Sequence, residues 1–353
     1  MQETTTRFRF LRVNLKVLAL VLLIVGGPSF ALWLKAEDIE RYLHGVRPGV
    51  TLEGRDMSGL FPEEVWLAVG EIALRVRVQP VDARLMEDTG EVVPGLNGLG
   101  VDVDQTVEAV LKAGPGERVK VIYRQIPPGK TLEDFPAAPI YRGNQARPLY
   151  ALMINLAWGD EYLPAMLKVM EEHGVRATFF VEGKWLEKDP ARRGLLQTIV
   201  GKGHEIGNHA YSHRHLSRLP RPEIAREIRR GEEAIKKAVG IKTRYFTPPY
   251  GEYDREVLEV AHELGYRTIM YSLDTVDWMR PGVDRILNRV VPKAHSGAIV
   301  LLHPTEQSPA ALEAILIAFR DKGLLAVTVS ELLSRERKPG PLPPLLQDTP
   351  PPG

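Results

Sequence analysis

Apolar and polar positions divide the chain into two kinds of segment. From 150 to about 334, short apolar runs alternate with amphipathic stretches. YALMINLA (150–157), ATFFVEG (177–183), TRYFTPP (243–249), RTIMYSLD (267–274), GAIVLLH (297–303) and LLAVTV (324–329) read as strands. Between them, Leu163, Met166, Leu167 and Met170 recur at helical spacing. So do Ile224, Ile228 and Ile235, then Val257, Val260, Ala261 and Leu264, and finally Leu312, Ile315, Leu316 and Phe319. Regular β–α alternation predicts an α/β unit with a parallel sheet, open or closed into a barrel.

The segment 46–126 has a different rhythm. A turn-rich start, RPGVTLEGRDMSGL, precedes a predicted helix at 62–74 and an alternating strand at 74–78. A second helix is predicted at 104–113, with Asp104 as its N-cap, and a last strand at 119–123. This is a small α+β domain. Residues 127–148 contain Pro127, Pro128, Pro136, Pro139 and Pro148 and read as a linker to the large domain at 149–335. The end, 336–353, is a proline-rich tail: seven of the sixteen residues from 338 onward are proline, which excludes a helix or central strand.

At the N-terminus, 1–16 carries Arg7, Arg9, Arg12 and Lys16, and the eighteen residues 17–34 carry no charge. That length spans a bilayer as a helix, and the basic flank stays inside. The expectation is a single-pass membrane anchor with the bulk of the chain outside the cytoplasm. A cleaved signal peptide is the competing reading, with Ser29-Phe30-Ala31 as a cleavage site. The continuation through Leu32, Trp33 and Leu34 suits the uncleaved anchor better.

Charge and composition then remove whole classes. Lys and Arg number 46 against 45 Asp and Glu, so no basic field marks nucleic acid as a partner. The absence of cysteine excludes disulfides, thiolate zinc sites and a cysteine nucleophile.

Polar chemistry collects where the predicted strands end. His209 and His213 lie in GNHAYSHRH, Thr247 to Gly251 form TPPYG, Asp274, Asp277 and Trp278 lie in DTVDW, and His303 ends LLH. Barrel enzymes build their sites at the C-terminal ends of strands. The i, i+4 spacing of His209 and His213 would put both imidazoles on one helical turn, able to grip one divalent cation. The same spacing is common on plain surface helices.

These phrases resemble the motifs of the polysaccharide deacetylase (NodB-homology) family, carbohydrate esterase family four. GHEIGNHAYSH resembles its metal-binding histidine motif, TPPYG its third motif, DTVDW its fourth and VLLHP its fifth, and GVRATFFVEG is typical of it. The resemblance implies a distorted (β/α) barrel and metal-dependent N-deacetylation of a cell-wall glycan such as peptidoglycan. It implies a divalent metal, usually zinc, on His209, His213 and an aspartate, for which Asp160 is the best candidate. It gives Tyr250 the oxyanion N–H, His303 the proton for the leaving amine, Asp277 the orientation of His303, and Trp278 and Leu301 the walls of an acetyl pocket. The small domain resembles the peptidoglycan-binding module of VanW-type proteins through PGVTLEGRDMSGLFPEEV and GLGVDVDQTVEAVL. A spacer without a ligand is the competing reading there.

Two positions depart from the family pattern. Its first motif reads like TFDDG, whereas this chain reads MINLAWGDEY. Anchoring on Gly159 loses both aspartates; anchoring on the strand puts Asn155 over the catalytic base and ends the loop at Asp160. The second register resembles a sporulation-associated branch and is preferred. In either register the base is gone, because an amide cannot act as a general base at neutral pH. The third motif ordinarily opens with an arginine that pairs with the lost aspartate; here it opens with Thr247. Losing one partner of a buried pair costs roughly 3–5 kcal/mol, whereas losing both leaves a neutral site. Two readings follow: a deacetylase with an atypical site, or a pseudoenzyme kept as a glycan-binding or scaffolding module at the cell envelope.

Overall fold

The computed structural model describes residues 27–340. Most of the expected anchor 17–34 and of the tail 336–353 lies outside these residues. No helix among the described residues is long and apolar enough to cross a membrane. In chain order the first strands are β1 (Thr51–Leu52), β2 (Arg55–Asp56), β3 (Arg84–Leu85), β4 (Val92–Val93), β5 (Gly98–Val101), β6 (Arg118–Val119) and β7 (Tyr123–Ile126). Then come β8 (Leu149–Leu156), β9 (Thr178–Val181), β10 (Glu205–Asn208), β11 (Tyr245–Phe246), β12 (Arg267–Thr268), β13 (Leu273–Asp274), β14 (Ile299–Leu302) and β15 (Leu325–Val327).

Contacts divide the described chain into two units. The smaller comprises the described residues up to 78, with 99–125 and 338–340. Its sheet has the order β2-β1-β6, antiparallel then parallel. The helices Pro62–Val76 and Val103–Lys112 bury Val65, Val69, Ile72, Val107 and Val110 in one apolar cluster with Leu52 and Met57. Two expectations are corrected here. The stretch 74–76 is helical, not a strand, because Ile72 and Val69 continue a buried helical stripe. The N-cap of the second helix is Asp102, whose carboxylate accepts from the Gln105 N–H, not Asp104.

The larger unit comprises 79–98 and 126–337. The 127–148 segment expected as a linker therefore packs as part of this unit. Ile140 is fully buried and bridges to Ile269, and Arg142 bridges to Ala298. Residues 79–98, inside the 46–126 range expected as the small domain, belong here too and carry the β3–β4 hairpin.

The main sheet runs β12-β11-β10-β9-β8-β14-β13, with β15 also on β8, and every pairing is parallel. Its two edge strands, β12 and β13, are separated only by residues 269–272. The sheet curls until its edges meet through that short link, giving the expected distorted barrel. Alternation along β8 sets its two faces. Tyr150, Leu152, Ile154 and Leu156 pack outward with Leu163, Met166, Leu312 and Ile315 of the helices. Ala151 and Met153 point inward with Phe180, Ile269 and Leu301. Asn155, next in that period, falls on the inner face at the strand's C-terminal end. This near-continuous apolar run is what a strand covered on both faces requires.

Candidate active site

The C-terminal ends of the strands surround a cavity of about 500 Å³. Asn155, His209, His213, Tyr250, Trp278, Leu301 and His303 all line it, together with Trp158, Thr247, Tyr271, Asp274 and Arg280. Parallel strands bring these distant residues together: Asn155 ends β8, His209 follows β10, Thr247 follows β11, Asp274 ends β13 and His303 follows β14.

His209 and His213 do not share a helical turn, contrary to the spacing argument. They lie in a loop after β10, where Ala210 and His213 adopt left-handed φ values of 60° and 51°. Their rings meet edge to face with centroids 5.1 Å apart. Two buried polar side chains fix the loop, and sequence reasoning missed both. Asn208 accepts the Ala210 N–H at 2.9 Å and donates to the Ile228 carbonyl and the Tyr266 hydroxyl. Glu227 accepts both the N–H and the hydroxyl of Ser212. Gly231 completes the seat: a Cβ there would lie 2.5 Å from Asn208 Oδ1 and 2.6 Å from the Ala210 carbonyl. Strand β10 was also missed, because EIGN carries too few apolar residues to signal a strand.

Both imidazoles are held neutral. Burial pushes His209 down to about 3 and His213 down to about 4, and each also opposes charge on its neighbours. His209 donates Nδ1–H to the Thr247 carbonyl at 2.9 Å, which leaves Nε2 with a lone pair facing the cavity side.

His303 has the opposite partner. Its Nδ1–H donates to Asp277 Oδ1 at 2.8 Å. Asp277 is fully buried, and its other oxygen accepts the His303 backbone N–H at 2.7 Å and the Ser308 hydroxyl at 3.0 Å. The ring tautomer is thereby set, and Nε2 remains free to take or give a proton. Trp158, which the sequence reading left without a role, stacks on His303 with centroids 5.4 Å apart and planes within 14°.

Tyr250 sits at φ 61°, a left-handed conformation that costs a non-glycine residue about 1–3 kcal/mol. His215 stacks flat on its ring at 4.0 Å, and Glu252 holds His215 at 2.7 Å. Gly251 follows at φ 67°, where a Cβ would meet the Tyr271 hydroxyl at 2.9 Å.

Asn155, on the inner face of β8, lines the cavity, as does Trp158, whereas Ala157 does not. Its Oδ1 is buried without a hydrogen-bond partner, an unusual state for a polar atom. Thr247, on the other side, is buried and neutral. Asp160 is not part of the cavity. Arg192 takes both its oxygens, Nη2 to Oδ1 at 3.1 Å and Nε to Oδ2 at 3.3 Å, and the Arg192 guanidinium also packs on Trp185. The expectation that Asp160 completes a metal site is thereby corrected. Among the described residues, no three His, Asp or Glu side chains gather as a ligand set. Asn155 and Asp274 share the cavity, but among the described residues no carboxylate gathers with His209 and His213 into the three-ligand centre usual for catalytic zinc.

A family model described as polysaccharide deacetylase matches residues 142–269. An uncharacterized protein of Bacillus subtilis, YlxY, is 37% identical over 260 residues, 74% of this chain and 80% of that protein. A peptidoglycan-N-acetylglucosamine deacetylase of Bacillus cereus is 37% identical over 178 residues, 49% of this chain and 82% of that one. Among solved structures, a CE4 family pseudoenzyme from Bacillus anthracis is 33% identical, with a TM-score of 0.66 over 77% of this chain and 96% of that one. A mutant of it, described as having restored enzymatic activity, superposes with the same TM-score. Fold, motif positions and relatives agree: this chain belongs to the polysaccharide deacetylase family, the NodB-homology proteins of carbohydrate esterase family four.

Proposed function

We propose that this protein is a glycan-binding member of its family, held at the cell envelope by the 17–34 segment, whose hydrolytic centre is strongly impaired. Its ligand is an N-acetylated cell-wall glycan of the peptidoglycan type, the class named for its deacetylase relatives. The observation that carries this reading is Asn155. On the strand register it takes the place of the family's base; it lines the cavity, and its buried Oδ1 has no partner. An amide accepts a hydrogen bond from an acetamido N–H or a hydroxyl, but it takes no proton from water. Deacetylases of the family generally depend on a metal, and the donor set here does not fit one. Trp158, Tyr250 and Trp278 are 39%, 53% and 53% exposed around the cavity, offering aromatic faces to a sugar ring.

A second reading, slow deacetylation, is favoured by the intact His303–Asp277 pair. His303 Nε2 can take a proton from water and return it to the leaving amine, and losing a separate base costs about 10²–10⁴ in rate. The deciding experiment uses the full chain in detergent with N-acetylglucosamine oligomers. Calorimetry should record binding, while acetate release stays at background. Acetate release that disappears in His303→Ala would overturn the binding-only reading in favour of the enzyme. No binding and no release would reject both.

A further inference from the structure

The helix Gly27–His44 belongs to the smaller unit and is held there by one side. Arg41 reaches the start of the next helix: Nη1 donates to Glu64 Oε2 at 2.7 Å and Nη2 to Oε1 at 2.9 Å. Its guanidinium also lies 4.9 Å over the Phe61 ring. The opposite side is uncovered. Ile39 and Leu43 are 48% and 64% exposed, and Lys35, Ala36, Glu40 and Tyr42 are exposed with them.

Ala36, Ile39 and Leu43 follow one another at spacings of three and four, the a-d-a step of a coiled-coil heptad. Arg41 then falls at f, straight across the helix from that seam, so its grip on the small unit leaves the seam open. The spacing continues backward to Leu32. Before the apolar run, where charged residues surround them, Leu15 and Leu11 keep the same register.

Charge selects the occupant. Lys35 stands at g and Glu40 at e, and neither has an ion-pair partner among the described residues. When two such helices pair in parallel, g of one meets the following e of the other, so Lys35 meets Glu40 twice. An antiparallel pair sets g against g and loses the match. We propose that this face takes a second copy of the chain, the two helices pairing in parallel along Ala36, Ile39 and Leu43. Helices shorter than about 12–15 residues are marginal alone in water, and confinement of both copies to one membrane offsets that weakness. To that extent the pairing rests on the anchor reading of 17–34.

The test uses the full chain in membranes. The protein has no cysteine, so a single introduced one reports without background. Under mild oxidation, Ile39→Cys and Leu43→Cys should form covalent dimers, and Asp38→Cys, at position c away from the seam, should not. Lys35→Glu added to Ile39→Cys should lower the crosslinked fraction by about twofold to fivefold, the worth of an exposed ion pair. Adding Glu40→Lys as well should restore it. Equal crosslinking at Ile39 and Asp38, or none at either, overturns the pairing; the second result is the one expected if the seam lies on lipid instead. Crosslinking at Ile39 that ignores both charge changes overturns the parallel register. Alkaline washing of the same membranes tests the anchor separately: a chain that washes off refutes the anchor, whatever the crosslinking shows.

Discussion

Arg192 holds Asp160 through two hydrogen bonds, at 3.1 and 3.3 Å, on a side chain that also caps the Trp185 carbonyl at 2.9 Å. That clamp holds the Asp160 carboxylate on Arg192, outside the cavity that His209 and His213 line. Metal affinity should therefore be low and indifferent to Asp160. Mass spectrometry on the full chain, purified without a histidine tag, should find zinc well below one per chain, and the same level in Asp160→Ala. Near-stoichiometric zinc that vanishes in Asp160→Ala would contradict the clamp.

Asn155→Asp should move the site toward hydrolysis. It places a carboxylate in the same cavity as two neutral imidazoles and a correctly oriented His303. Acetate release from N-acetylglucosamine oligomers should rise by about 10²–10⁴ over the parent chain. The change also buries a charge opposite neutral Thr247, so stability should fall by up to about 3–5 kcal/mol. Thr247→Arg should recover part of that loss, because the cavity has room for the guanidinium. Urea melts of the two single variants and the double variant measure the coupling; purely additive effects would refute a paired loss at these positions.

Trp158→Ala should weaken the main glycan site. Trp158 is partly exposed, lines the cavity and stacks on His303. Losing one aromatic face is worth about 0.5–1.5 kcal/mol beyond its area, so affinity should drop by about threefold to tenfold. Intrinsic fluorescence of the parent chain should change on sugar addition, and that change should shrink in the variant. An unchanged titration would remove Trp158 from the ligand contact.

The barrel was legible in the sequence because its strands are apolar on both faces and its helices carry clean stripes. The cavity was legible because Asn155, Tyr250, Trp278, Leu301 and His303 each sit at or just past a strand end, where motif and topology coincide. The histidine loop was not. Its form depends on Asn208, Glu227 and Gly231, whose contacts cross 15 to 58 residues of sequence and leave no periodic signal. Asp160 misled for the same reason: its partner Arg192 is 32 residues away. The proline-rich 127–148 stretch read as a linker because proline marks irregular backbone, yet irregular backbone packs well when a residue such as Ile140 is buried beneath it.

Acid should destabilise the fold through His204. This ring is buried, its Nδ1 accepts the Ala177 N–H at 3.1 Å, and Phe179 meets it edge to face. Protonation would displace that N–H, and burial, helped by Lys202 and Arg176, pushes the ring down to about 4 from 6.5. The unfolded chain takes its proton near pH 6.5 and the folded chain does not until near pH 4. Stability is therefore complete above pH 6.5 and declines as pH falls toward 4, by about 3 kcal/mol for this group at one pKa unit per 1.36 kcal/mol. His209 and His213 carry the same sign and add to the slope. His204→Asn keeps an acceptor for Ala177 without the titrating ring. Urea melts at pH 7 and pH 4.5 should show a smaller acid loss in this variant than in the parent; equal losses would place the acid sensitivity elsewhere.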